Sequence, residues 1–140
     1  MAKGLREMLE FADEVKEALD KGLAEHLTKT QGKLAAANPV DSGRMASSWF
    51  IGQNSPELGT RPESWANPGD KRVEVSEYPE AAIEYDGTWY ISNNVKYAER
   101  VALDAKWAKG GAGGANWYRA IENSQVESLN KSMAKFLKQV

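Results

Sequence analysis

The chain has 140 residues, 41% of them hydrophobic, a formal net charge of −2 and no cysteine. This length is typical of one domain with its own core, so we expect a single domain over residues 1–140. Without cysteine there is no disulfide framework and no thiolate metal site. No apolar run approaches the roughly 18 residues that a membrane span needs, and the charge balance excludes a globally basic nucleic-acid-binding protein.

The first third of the chain predicts one long amphipathic helix over residues 4–36. A helix of that length spans about 45–50 Å at 1.5 Å per residue, which exceeds the needs of a compact domain of this size. Part of its apolar stripe is therefore expected to contact another subunit. Gly32 offers an earlier end, and Pro39 excludes helical geometry at Asn38. The stripe recurs at spacings of three and four and consists of Leu5, Met8, Leu9, Ala12, Val15, Leu19, Leu23, Leu27 and Leu34.

Two strands are predicted in the middle of the chain. The first covers residues 46–54 and is centred on Trp49. The second covers residues 88–92, directly after a turn signal at Asp86-Gly87. The tryptophans of these strands, Trp49 and Trp89, are expected in the core, and a short edge strand is compatible with Val73 and Val75.

Residues 55–72 contain three prolines and two glycines, which predict a long loop around Trp65. A loop of that length in a compact domain is usually functional or disordered. After it, Pro79 suits the first turn of a short helix over Glu80 to Tyr85.

The last part of the chain predicts helices separated by glycines. Residues 97–106 are expected to be helical, a glycine-rich run at 109–114 breaks the pattern, and a final amphipathic helix is expected at 116–139. The predicted fold class is α+β, with a long N-terminal helix and a C-terminal helix packed on a small antiparallel sheet, and a long loop at about 55–72.

The sequence Asp41-Ser42-Gly43-Arg44 follows the end of the first helix. Asp41 or Ser42 can accept hydrogen bonds from the free backbone donors of a following helical turn. Gly43 permits backbone geometry that other residues resist, and Arg44 is able to pair with Asp41. Two interpretations stay open, a structural cap between helix and strand and a direct contact with a neighbouring component of an assembly.

No residue pattern predicts catalysis, a cofactor or a metal ion. His26 is the only histidine and has no clustered partner. The glycine-rich run is followed by Ala115-Asn116, whereas a phosphate-binding loop needs Gly-Lys and then Ser or Thr. We therefore predict that the protein is not an enzyme.

Tryptophan and lysine residues provide the remaining candidate contacts. Trp65 and Trp107 are either interface anchors or locally packed side chains. Residues 55–95 carry a net charge of −5 and residues 96–140 carry +4. The acidic middle of one copy is therefore a candidate partner for the C-terminal helix of the next, through Lys131, Lys135 and Lys138.

Two segments carry a resemblance to a known family. They are Pro39-Val40-Asp41-Ser42-Gly43-Arg44, which enters a strand, and Asn93-Asn94 followed by Tyr97-Ala98, which leaves one. In this order, behind a long N-terminal helix, they resemble the neck, or tail-completion, proteins of tailed bacteriophages. In that family the first segment reads Pro-Val-Asp-Thr-Gly-Arg-Leu, so Ser42 stands at the threonine position. The resemblance covers residues 1 to about 100, after which Val101 to Trp107 and the glycine run replace the family's Gly and Gln-x-Pro stretch.

The resemblance implies a structural protein of the virion, located at the junction of head and tail. Such a protein forms a ring of six or twelve copies around the channel through which DNA leaves the head. It would be made and assembled in the host cytoplasm. Its partners would be further copies of itself and phage proteins on the portal or adaptor side and on the tail-tube side. DNA would be passing cargo only. A tail terminator or another tail-associated subunit is the alternative, ahead of a non-viral interaction module or an enzyme.

Overall fold

The computed structural model describes residues 2–103 and 116–140. Its longest element is helix α1, Ala2–Ala37, with 36 residues, which corresponds to about 54 Å. The helix continues through Gly32 and ends before Pro39, as the ring of a proline requires of the preceding residue. The predicted long helix is therefore confirmed, and the helix does not end at Gly32.

A two-stranded antiparallel sheet forms the β part of the fold. Strand β1, Phe50–Gln53, pairs with strand β2, Trp89–Ser92, with Phe50 opposite Ser92. Strand β1 begins later than predicted because the backbone from Gly43 to Ser47 makes a helical turn, with Ser47 N donating to Gly43 O at 2.9 Å. The predicted edge strand at Val73 and Val75 does not form; both residues lie in irregular backbone.

The connection from β1 to β2 is irregular except for one short helical turn. A 3₁₀ helix covers Glu80–Ala82, which is shorter than the helix predicted from Glu80 to Tyr85. The expected turn at Asp86-Gly87 is present, and it leads directly into β2.

Three further helices are described, namely α2, Ala98–Leu103, α3, Trp117–Asn123, and α4, Gln125–Leu137. The predicted single C-terminal helix is broken at Ser124. There, Ser124 Oγ and Gln125 Nε2 both donate to the carbonyl of Ile121, at 2.8 and 2.9 Å. Side-chain hydrogen bonds of this kind compete with the helical backbone pattern. Trp107, the glycine run at 109–114 and the end of the helix predicted at 97–106 lie outside the described residues.

The core consists of two groups of buried apolar side chains. Trp49 lies at the centre of the first, with its ring centroid 6.2 Å from that of Trp117 and 6.1 Å from that of Tyr118. The core position predicted for Trp49 is confirmed, whereas Trp89 is half-buried at the rim, edge-on to Tyr78. The first group comprises Leu34, Ala35, Met45, Trp49, Val95, Ala98 and Trp117, and the second comprises Ala24, Leu27, Ile51 and Ile83.

Helix α4 packs antiparallel on the middle of α1. A Cβ atom at Gly22 would lie 2.9 Å from the Cα of Met133, so the two helices approach closely there. Polar contacts line the same boundary, with Thr30 Oγ1 3.3 Å from Gln125 Oε1 and His26 Nδ1 3.2 Å from Ser128 Oγ. The result is an α+β fold in which α1 supports both the sheet and the C-terminal helices. Among the described helices, none is both long enough and apolar enough to cross a membrane.

Candidate functional site

The residues from Asp41 to Ser48, here called the 41–48 turn, are bound to the residues from Thr60 to Glu74, here called the 60–74 loop. The carbonyl oxygens of Asp41 and Ser42 accept from the backbone nitrogens of Lys71 and Arg72, both at 2.9 Å. The Asp41 carboxylate also accepts from the backbone nitrogen of Gly69 at 2.8 Å. These bonds join two irregular segments that are about 30 residues apart in the sequence.

Gly43 makes this close approach possible. Its φ angle of +93° lies in the region that other residues rarely adopt, and a Cβ atom here would lie 1.8 Å from the carbonyl oxygen of Arg72. A side chain at this position would therefore separate the 41–48 turn from the 60–74 loop.

Ser42 caps the turn as predicted, whereas Arg44 binds a different partner from the one predicted. Ser42 Oγ accepts from the backbone nitrogen of Arg44 at 3.2 Å, which is a local cap of the predicted kind. The predicted pairing of Arg44 with Asp41 is wrong. Arg44 instead donates from Nε to the carbonyl of Arg61 at 2.8 Å, and its Nη2 lies 3.4 Å from Thr60 Oγ1. The cap therefore also anchors the start of the 60–74 loop.

Trp65 is packed within its own chain, which is one of the two alternatives considered for it. Its side chain is 8% exposed, and the guanidinium carbons of Arg72 and Arg61 lie 3.7 and 4.7 Å from the ring centroid. These distances are typical of cation–π contacts. The indole nitrogen donates to the carbonyl of Arg72 at 2.7 Å. No local sequence pattern marks Arg61 or Arg72 as partners of Trp65, although they are two of the three basic residues in the otherwise acidic stretch of residues 55–95.

Two buried serines complete the attachment of the 60–74 loop. Ser47 Oγ donates to the carbonyl of Arg72 at 3.1 Å and accepts from the backbone nitrogen of Glu74 at 2.8 Å. Ser48 Oγ donates to the carbonyl of Arg44 at 2.6 Å and accepts from the backbone nitrogen of Arg61 at 3.0 Å. Because each buried hydroxyl both donates and accepts, the loop is fixed to the domain at two points.

The second signature segment reaches the same turn through an asparagine. Asn93 Nδ2 donates to the carbonyl of Met45 at 2.7 Å, and Asn93 Oδ1 accepts from the backbone nitrogen of Val95 at 3.2 Å. The next residue, Asn94, donates to the carbonyl of Glu57. The asparagine pair therefore ties the end of β2 both to the 41–48 turn and to the start of the long connection.

A surface cleft of about 380 Å³, here called the motif cleft, lies where the two signature segments meet. Tyr97 lies at the cleft with 41% of its side chain exposed, while Gly43 and Met45 are buried beneath. Within the described ranges, no three histidine, aspartate or glutamate side chains converge to hold a metal ion. Six of the ten residues that line the motif cleft are apolar or aromatic, a composition suited to contact with another protein surface. It is lined by Pro39, Val40, Asp41, Ser42, Gly43, Arg44, Met45, Ala46, Tyr97 and Val101.

The three candidate lysines of α4 and its end differ in their contacts. Lys135 Nζ lies 2.7 Å from Glu25 Oε1 on α1 of the same chain. Hydrogen bonds from Lys135 and Lys29 lower the pKa of the Glu25 carboxyl. Lys131 pairs with Glu127 at 3.2 Å on the exposed face of α4, and Lys138 is exposed. Lys135 is therefore engaged by α1 rather than by the acidic middle of the chain.

Comparison with known proteins identified no relative. No protein-family model, no curated protein sequence and no solved structure matches this chain.

Proposed function

We propose that this protein is a structural subunit of the neck of a tailed bacteriophage. In this proposal it forms a ring of six or twelve copies that joins head to tail and allows DNA to pass. The observation that supports the proposal best is the meeting of two signature segments, Pro39–Arg44 and Asn93–Ala98, at the motif cleft. The two segments are about 50 positions apart in the sequence, and the fold presents them on one surface.

The surface chemistry supports a subunit that is completed by assembly. Large hydrophobic side chains are exposed next to one another at the start of α1, including Met8 at 69% and Leu9 at 58%. A contiguous exposed apolar surface is typical of a region that becomes buried against another protein. In this proposal the protein has no catalytic activity and no cofactor. The partners of the protein are further copies of itself, phage proteins on the portal or adaptor side, and tail-tube proteins.

The first test is assembly and particle completion. Electron microscopy of the purified protein at increasing concentration should show closed rings with a central channel. Disruption of its gene in the encoding phage should leave filled heads and finished tails that are not joined. Intact tailed particles lacking the protein would overturn the proposal.

A matched pair of tyrosines tests the motif cleft itself. Tyr97 lines the cleft and is 41% exposed, whereas Tyr90 on β2 is 38% exposed and does not line it. We expect Tyr97→Ala to reduce head–tail joining at least tenfold in an in vitro complementation assay, while Tyr90→Ala joins normally. Equal joining by both variants would contradict a role for this cleft, provided that both have the circular dichroism spectrum of the unchanged protein.

A further inference from the structure

The first part of α1 carries an apolar face that no described residue covers. Over residues 4–14 every side chain is exposed, and the first buried one is Ala18. The exposed fractions are 58% for Leu5, 69% for Met8, 58% for Leu9 and 60% for Phe11. With spacings of three and four, Leu5, Met8 and Leu9 lie on one side of the helix. We call residues 4–17 of α1 the projecting segment.

The exposed face continues the face that α4 covers further along α1. Gln125 lies opposite Thr30, Ser128 opposite His26, and Met133 opposite Gly22, so α4 runs toward the start of α1 and ends before the projecting segment. The uncovered face is thus an extension of an existing helix–helix contact. A second helix laid along it would continue the same kind of packing.

Charge decides which helix suits this position. The projecting segment carries five acidic and two basic side chains. Two projecting segments would therefore repel each other, and so would a projecting segment and the acidic middle of another copy. Residues 125–140 carry three lysines and one glutamate. Of the helices described in this chain, α4 offers the complementary charge.

The exposed side of α4 also has an apolar surface of its own. Val126 is 74% exposed and Leu137 is 38% exposed, and Ala134 is also exposed between them. Val126 and Leu137 lie on an exposed flank of α4 next to Met133, which packs on α1, and Ala134 lies further round on the solvent side. Lys131 and Lys138 lie beside this stripe, and the Lys131 side chain is 77% exposed.

We propose that the projecting segment of one copy binds the exposed side of α4 in the next copy. Leu5, Met8 and Leu9 would pack on the Val126–Leu137 stripe, and acidic side chains of the projecting segment would pair with Lys131 and Lys138. Because the two surfaces are different parts of one chain, the contact is head-to-tail and can close into a ring. It rests on the proposed ring and names the surfaces that join neighbouring copies.

Disulfide trapping tests the contact in the full chain, which has no cysteine of its own. Met8→Cys and Ala134→Cys variants are purified separately, mixed and oxidised, and the linked peptides are identified by mass spectrometry. We expect a disulfide between position 8 of one copy and position 134 of another. Met8→Cys mixed with Leu58→Cys, whose site is 79% exposed, is the control and should give at least tenfold less product.

Each outcome of the trapping experiment counts for or against the contact. Efficient linkage of Met8→Cys to itself would mean that two projecting segments pair symmetrically, which overturns the proposal. Linkage no greater than the control would overturn it as well. Rings seen by electron microscopy without the linkage would remove this contact and leave the proposed function standing. Linkage without rings under any condition would support the contact and count against the ring.

Charge reversal supplies an independent measurement. We expect the double variant Lys131→Glu and Lys138→Glu to weaken self-association at least tenfold in sedimentation velocity. Adding Glu10→Lys and Glu14→Lys to the same chain should restore it at least in part. Unchanged association of the lysine variant, or no restoration by the glutamate changes, would contradict the pairing of these two surfaces.

Discussion

At the scale of single residues, Gly43 shows how one missing side chain permits the contact between two segments. Its left-handed backbone brings the 41–48 turn against the carbonyl of Arg72. That carbonyl in turn accepts from Ser47 Oγ and from the indole of Trp65. The Arg72 carbonyl oxygen therefore contacts the 41–48 turn and Trp65 at the same point. Its position depends on the absence of a side chain at Gly43.

We predict that Gly43→Ala destabilises the protein by about 1–3 kcal/mol, since it adds backbone strain and a clash. Gly69→Ala is the matched control, because Gly69 has a φ of +87° but no atom within 4 Å of an added Cβ. Its cost should be smaller, about 1 kcal/mol, from strain alone. Urea unfolding followed by tryptophan fluorescence measures both, and equal losses in the two variants would refute the close approach at Gly43.

Two buried amides show why the core is polar at certain points. Gln31 Nε2 donates to the carbonyls of Trp49 and Ser76 at 2.7 and 2.8 Å, and Asn38 Oδ1 accepts from Trp49 Nε1 at 3.0 Å. A buried polar group without a partner is costly, and these partners remove that cost. Both amides fix Trp49 in one orientation relative to α1.

At the scale of elements, the boundary between α1 and α4 contains a buried histidine. His26 is 6% exposed and lies against Ser128 of α4. Burial lowers the pKa of the His26 imidazole below its usual 6.5, against the opposing effect of a hydrogen bond with Gln125, and the positive charge of Lys33 adds to the decrease. The neutral imidazole is therefore the form that the packed helices accommodate.

This histidine predicts a pH-dependent stability. In the unfolded chain the imidazole takes up a proton near pH 6.5, whereas in the folded protein it does so only at lower pH. The free energy of unfolding should be at its full value above pH 6.5 and should fall as the pH decreases from 6.5 toward the folded pKa. Thermal unfolding at intervals between pH 7.5 and 5 measures this decrease.

The control for the pH prediction is His26→Gln, which keeps a polar side chain but does not titrate. Its melting temperature should depend less on pH than that of the unchanged protein between pH 7 and 5. The comparison uses the slope rather than the absolute stability, because glutamine need not pack as well as histidine. Identical slopes would show that His26 is not the titrating group.

At the scale of the whole molecule, a packed body carries a helical extension. The body contains both core groups, the motif cleft and the contact of α1 with α4, whereas the projecting segment lies beyond the first buried residue, Ala18. We expect the projecting segment to unfold locally more easily than the body, because it makes fewer buried contacts.

We predict that removing residues 2–13 changes the free energy of unfolding by less than about 1 kcal/mol, since exposed surface groups contribute little. The same truncation should abolish the self-association proposed above. Urea unfolding and sedimentation velocity on the truncated chain provide the two readouts. A loss of several kcal/mol would mean that the segment stabilises its own domain, which contradicts its description as a projection.

Sequence patterns were sufficient for elements whose signals are local. The end of α1 follows from Pro39, β2 follows from a run of aromatic and β-branched residues after Asp86-Gly87, and α+β is the fold class that the structure has. The helix break at Ser124 was not predicted. It depends on the side chains of Ser124 and Gln125, which donate hydrogen bonds to the Ile121 carbonyl and not to solvent. The same limit applies to Arg44, whose partners lie in a loop that no local pattern places.

The sequence by itself determined the long helix α1, the turn before β2 and which face of α1 is apolar, because these properties depend on residues close to one another in the sequence. Only the tertiary structure decided that Trp65 is buried between segments, that Lys135 binds Glu25 and that two distant motifs share one cleft. Those contacts join residues separated by many positions, and their partners are largely backbone carbonyls, which every residue possesses. No side-chain pattern marks such an acceptor until folding brings it into place.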